Sequence, residues 1–235
     1  MIDLTLLKTD DIKARAKWKC PLDGHSKHNG LEHPNCYESL HSLDLREKIG
    51  FLDIETGDLK ADFGIMFCYC IKDRNSDKIY EDRITLDDIK KYSSKKRDVN
   101  TKEDTRIIKS LVKDMGNFTR LVGHFSSIFD LPFIRTRAMI CGIDFPTYGQ
   151  YCQTDTWRIL KSKFKLSRNS LENSCRKLLG ATQKDYLSLS IKHGCIRGEE
   201  WALKDSIVHC RKDVLDTEKL YNAINGFMRS TKASI

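Results

Sequence analysis

Residues 49–57 read Ile-Gly-Phe-Leu-Asp-Ile-Glu-Thr-Gly, a short apolar run with carboxylates at two alternate positions. A run of this length bounded by Gly predicts a buried strand over 49–56. Side chains two apart in a strand share a face, so Asp53 and Glu55 project together while Leu52 and Ile54 face the other way. Residues 63–72 predict a second strand and 77–84 a third, and the link from Lys72 to Asp77 has the chemistry of a hairpin turn.

Periodicity then changes. Ile107, Ile108, Leu111, Val112 and Met115 recur at helical spacing, with Gly116 as a stop, and predict a helix over 102–116. Residues 120–125 predict a strand. Residues 130–141 predict a helix with Asp130 as N-cap, Pro132 in the first turn and Gly142 at the end. A helical region begins at 154–161, another helix covers 170–179 up to Gly180, and 199–226 reads as one or two helices. The polar stretch 87–101 predicts an exposed loop, and 3–18 a short helix or arm. Hairpin strands followed by α/β alternation predict a mixed sheet flanked by helices, in the α/β class. The expected division is an N-terminal arm, 1–45, and a main domain, 46–235.

Composition narrows the function classes. The chain has 235 residues and is 40% hydrophobic, enough for a globular core. No apolar stretch approaches the roughly 20 residues a membrane span needs, and the first residues lack the basic start and cleavage site of a signal peptide. The expectation is an intracellular, cytoplasmic protein with no membrane partner. Its nine cysteines are odd in number and scattered, which favours free thiols over a disulfide framework. The net charge of +8 is uneven. Residues 157–177 carry seven basic side chains against one acid, Glu172, a distribution that favours a polyanion such as nucleic acid.

The paired carboxylates carry the sharpest chemistry. Two like charges held side by side repel unless a divalent cation or a shared proton neutralises them. Hard oxygen ligands in a pair suit Mg2+ or Mn2+. Two further acids lie where they can join: Asp130, in Phe-Asp130-Leu-Pro at a strand–loop–helix junction, and Asp213, which shares a helical face with His209 four residues earlier.

Asp53-Ile-Glu55-Thr, Gly123-His124 through Asp130-Leu-Pro-Phe, and His209-x-x-x-Asp213 occur in the order of the three motifs of the DEDD-type 3′–5′ exonucleases, which they resemble. That family belongs to the ribonuclease H-like superfamily. The resemblance covers roughly residues 48–226, and a bacterial and phage subgroup is the nearer match through Ser170-Leu-Glu172 and Leu179-Gly180. It implies a ribonuclease H-like sheet and hydrolysis of single-stranded DNA from the 3′ end to nucleoside 5′-monophosphates, as in proofreading or repair. It also implies two Mg2+ or Mn2+ ions held by Asp53, Glu55, Asp130 and Asp213, with His209 as proton acceptor. The alternatives are the same chemistry on RNA and a catalytically silent nucleic-acid-binding or polymerase-associated module. Two departures stand out: Phe125 replaces the usual Asn of the second motif, and the third has His at the spacing where the family has Tyr. Lys161, Lys163, Lys165 and Arg168 are candidates for phosphate contacts. His124, Phe125 and Trp157 are candidates for holding nucleotides, with Tyr148, Tyr151 and Phe164 available for stacking on unpaired bases.

A separate cluster lies between 20 and 36. Cys20, His25, His28, His33 and Cys36 place five zinc-competent side chains in a turn-rich segment. Cys20, His33 and Cys36, with His25 or His28 as fourth ligand, predict a structural zinc clip rather than a catalytic centre, since four protein ligands leave no position for water.

Overall fold

The computed structural model describes residues 9–18, 29–35, 37, 47–92, 102–184 and 186–228. It comprises two compact units, 1–47 and 48–235. In the first, helix α1 (Thr9–Lys17) is tied to the following segment by the Gly30 N–H, which donates to the Arg15 carbonyl at 2.8 Å. Trp18 meets Tyr37 edge-on at 5.4 Å, and the Arg15 guanidinium lies over the Tyr37 ring.

The second unit is built on five strands: β1 (Ile49–Thr56), β2 (Met66–Asp73), β3 (Ile79–Arg83), β4 (Arg120–Gly123) and β5 (Cys152–Asp155). Their order in the sheet is β3-β2-β1-β4-β5. β1 runs antiparallel to β2 and parallel to β4, while β2–β3 is antiparallel and β4–β5 parallel. The sheet is therefore mixed, and β1, which carries Asp53 and Glu55, lies at its centre. Among the described residues, the helices of this unit are α2 (Leu86–Tyr92), α3 (Thr105–Met115), α4 (Asp130–Cys141), α5 (Thr156–Lys163), α6 (Leu171–Leu179), α7 (Leu189–Arg197) and α8 (Glu200–Ile224).

The period-2 pattern of β1 decides which layer meets which helix. Leu52 and Ile54 enter an apolar cluster with Ile107, Ile108 and Leu111 of α3 and Leu131, Phe133 and Ile134 of α4. Phe51, on the opposite face, packs with Cys68, Cys70 and Val122 of the sheet and with Ile207, Cys210, Val214 and Tyr221 of α8. The face that presents Asp53 and Glu55 is thus the face α8 covers. Full burial of each such apolar side chain contributes about 1.5–3 kcal/mol, so α8 is held firmly enough to fix what it carries.

Several boundaries differ from the sequence pattern. Residues 86–92 form helix α2 instead of a loop, because Asp88 caps its first turn through the Thr85 N–H at 2.9 Å and the Thr85 hydroxyl at 2.8 Å. The segment 199–226 is one 25-residue helix, α8, followed by a single 3-10 turn over Asn225–Phe227. Asp130 is the first residue inside α4 instead of its cap; Phe129 occupies the cap position without a side-chain bond. Strand β5 and helix α7 were not foreseen. β5 is four residues long and partly polar, and α7 has Gly194 at its centre. That glycine has a packing reason: a Cβ there would lie 2.5 Å from the Ala202 Cβ, so its absence lets α7 close on α8.

No helix among the described residues is long and apolar enough to cross a membrane. The seven described cysteines are free thiols.

Candidate metal and nucleic-acid site

Three elements bring the acids together. β1 presents Asp53 and Glu55, both half-buried, and α8 presents Asp213, which is buried. One carboxylate oxygen of each lies within 4.8 Å of those of the other two. Asp130 comes from the first turn of α4 and is 5% exposed.

Four acids at such close quarters resist ionisation. Burial, then the charges of Asp213, Asp130 and Glu55, hold the Asp53 carboxyl well above its ordinary range. Burial followed by the Asp213 charge raises Glu55 to about 7. Burial raises Asp130 to about 7, against the pull of the nearby Asp130 and Ile54 backbone toward the charged form. Asp213 is raised by burial and pulled back by Lys184. A compact set of hard oxygen donors that cannot all be anionic unaided is what Mg2+ or Mn2+ coordination requires. The donor set of Asp53, Glu55 and Asp213 could hold such an ion.

A basic residue that sequence reasoning missed enters this cluster. The Lys184 ammonium donates to the Asp213 carboxylate, and the negative charges of Asp213, Asp53 and Glu55 hold it above the ordinary lysine range despite burial. Its loop is anchored by Asp216, 1% exposed, which accepts from the Thr182 hydroxyl and the Gln183 N–H, both at 2.7 Å. Asp216 lies three residues after Asp213 on α8, so one helix positions both the acid and the loop that brings its counter-charge. No local pattern marks Lys184. The spacing of Asp213 and Asp216 on one helical face was the available signal.

His209 sits one helical turn before Asp213 and is half-buried. His124 is committed elsewhere. Its Nε2–H donates to the Asn169 carbonyl at 2.8 Å and its Nδ1 lies 2.9 Å from the Thr156 hydroxyl. Burial lowers its pKa to about 4. With both ring nitrogens satisfied inside the protein, His124 fixes the end of β4 against α5 and the 164–170 connection.

The loop between β4 and α4 hangs on Asp155, a second residue missed as a functional position. Asp155 is the N-cap of α5, accepting from the Trp157 N–H at 3.0 Å. It also accepts from the Phe125 N–H at 2.9 Å, the Ser127 N–H at 3.0 Å and the Ser127 hydroxyl at 2.6 Å. The Phe125 ring meets Trp157 edge-on at 5.0 Å, and the Lys161 ammonium lies 4.8 Å from the Trp157 ring centre. Lys161, Lys163, Lys165 and Arg168 are all exposed on α5 and the segment after it. Phe164 packs instead against Phe227. Tyr148 is 85% exposed, and Tyr151 packs partly against the core.

Of the zinc candidates, Cys20, His25, His28 and Cys36 lie outside the described residues. His33 is half-buried, and its backbone bonds Asn29 and Tyr37 in a helical turn.

The fold has a solved counterpart. A family B DNA polymerase from the hyperthermophilic archaeon Pyrobaculum calidifontis superposes with a TM-score of 0.55 at 15% identity, over 77% of this chain and 25% of the polymerase. The chain thus spans about a quarter of that polymerase's length, and at this identity the likeness is one of fold. No family model matches the chain, and no curated protein does.

Proposed function

We propose that this chain is a divalent-cation-dependent 3′–5′ exonuclease acting on single-stranded DNA. The observation that carries the reading is the convergence of Asp53, Glu55 and Asp213, with Asp130 beside them, at the centre of a mixed sheet. The order of its motifs supports it, as does a fold shared with a DNA polymerase chain.

Asp53, Glu55, Asp130 and Asp213 would hold Mg2+ or Mn2+. When bound, a pair of such ions lowers the pKa of an attacking water and stabilises the departing 3′ oxygen. The chain's own groups do the rest. His209, with an imidazole suited to neutral pH, is placed one turn from Asp213 to take up the water's proton. Lys184 stays charged, so it acts by electrostatics rather than as a base. The exposed cations from Lys161 to Arg168 would track the strand's phosphates. A polymerase or other replication protein is the partner class that fits such an activity.

Two observations favour a second reading. The Lys184 ammonium already neutralises Asp213, and Phe125 stands where the family carries Asn. Both are compatible with a silent nucleic-acid-binding module. A panel of DNA and RNA strands incubated with Mg2+, Mn2+ or EDTA separates the readings. Cation-dependent release of nucleoside 5′-monophosphates from DNA is expected, equal or faster release from RNA would make it an exoribonuclease, and binding without release under every cation would establish the silent module.

A further inference from the structure

β3 is the last strand of the sheet on its side, and its register decides which main-chain groups it leaves open. The Ile84 N–H donates to the Phe67 carbonyl at 2.7 Å and the Asp73 N–H to the Lys78 carbonyl at 3.0 Å, with Glu81 opposite Cys70 between them. Antiparallel pairs alternate between bonded and non-bonded, so Ile79, Glu81 and Arg83 turn their N–H and C=O groups away from β2. The Arg83 end is closed: its N–H donates to the Asp82 carboxylate at 2.8 Å and its carbonyl accepts from Arg106 at 2.6 Å. Ile79 and Glu81 present theirs to the edge, the arrangement that accepts a further strand.

Glu81 and Arg83 send their side chains to the face that α8 covers, since Cys70 and Cys68, their partners across the ladder, pack with α8. A cleft of about 480 Å³ lies there between strand and helix, with Ile207 and Val208 as its apolar lining. Val208 is 42% exposed. Lys204, Val208 and Arg211 recur at i, i+4 and i+7 and form one stripe of α8 along the cleft. The charges on its walls do not cancel. Glu81 engages Arg211 through both carboxylate oxygens, and Glu200 engages Arg83 in the same way at 2.7 and 3.0 Å. The Lys204 ammonium, 66% exposed, reaches that same Glu200 carboxylate at 3.5 Å, where Arg83 already holds both oxygens. Asp82 pairs with Arg106. One cation is thus in surplus. The geometry points to a docking site for an extended segment of a partner protein, added to β3 as a further strand with its main chain bonding Ile79 and Glu81. Side chains two apart in that segment share a face, so an apolar one seats on Val208 and an acidic one pairs with Lys204.

The test pans the full chain against a displayed library of random peptides and measures the Kd of an enriched peptide made synthetically. Enrichment of an apolar and an acidic residue two positions apart is expected. Val208→Asp should weaken the selected peptide about 10-fold. Lys204→Glu should weaken it as well, and exchanging the peptide's acid for Lys should restore binding to that variant alone. Both positions are exposed, so thermal scans should show each variant folded. The Ile79 and Glu81 amides should exchange more slowly with solvent once the peptide is bound. A library that yields no enriched peptide, or peptides whose binding neither substitution changes, would overturn the proposal. So would a dimer of the chain alone that Val208→Asp disperses, since it would give the cleft to a second copy.

Discussion

The Lys184 ammonium is paired with the Asp213 carboxylate inside a cluster of four acids, on a loop held by Asp216 of the same helix that supplies Asp213. The pair balances one charge of the cluster, while Asp53, Glu55 and Asp130 all remain above their ordinary range. Replacing Lys184 by Met therefore leaves Asp213 without its partner. The expected cost is on the order of 1–3 kcal/mol in EDTA, and most of it should be recovered on adding Mg2+. Urea unfolding with and without the ion checks this, and equal losses under both conditions would show that Lys184 serves packing rather than charge balance.

The raised acids fix a sign for pH. A carboxyl whose folded pKa exceeds its unfolded one binds more protons when folded, so stability falls as pH rises between the two values. Glu55 and Asp130, both near 7 when folded, place that fall between the ordinary carboxylate range and about neutral pH. In EDTA the melting temperature should decline between about pH 5 and pH 7.5. With Mg2+ the decline should shrink, because the ion replaces the protons the cluster gives up. A cation-induced rise in Tm that is larger at pH 5 than at pH 7.5 would contradict the assignment.

Asp53→Asn and Asp213→Asn should part company in stability. The first deletes a like charge from a crowded site and should raise the EDTA melting temperature. The second also weakens the partner of Lys184 and should lower it or leave it level. Both should abolish the response to Mn2+. Parallel thermal scans of the two variants decide the matter.

Arg137 and Asp104 form a fully buried ion pair at 2.6 Å that joins α4, the helix of Asp130, to the residue preceding α3. Asp104 also accepts from the Met66 N–H, and Arg137 donates to the Ala61 carbonyl on the loop after β1. Breaking it by Arg137→Met strands a buried charge, at a cost of about 3–5 kcal/mol. Replacing both residues by apolar ones of similar volume should recover much of that loss. The comparison, by urea unfolding, distinguishes a structural bracket from a chemical role.

Much of this architecture was legible where apolar periodicity and cluster chemistry coincide. The alternation through Asp53 and Glu55 gave β1 to the residue, and Pro132 in the first turn with Gly142 at the end gave α4. The acid set was legible from the order of three motifs, Asp53-Ile-Glu55-Thr, Asp130-Leu-Pro and His209-x-x-x-Asp213, and the structure brings Asp53, Glu55 and Asp213 within 4.8 Å of one another. What escaped depends on contacts made far along the chain. Lys184 sits in a segment without periodicity and acquires its role from Asp216, 32 residues on. Strand β5 is four residues long and exists because β4 pairs with it from Arg120 to Gly123. His124, a candidate for holding nucleotides, has its ring held between Thr156 and Asn169, contacts the motif alone does not mark.

The central claim is that these acids hold cations that drive hydrolysis from the 3′ end. A single-turnover time course on 5′-labelled single-stranded DNA with Mn2+, run beside Asp53→Asn, addresses it directly. The account predicts a ladder shortening one nucleotide at a time from the 3′ end, silenced by EDTA and lost in the variant. A labelled strand that stays intact with Mn2+, or that is cut equally by Asp53→Asn, would contradict it.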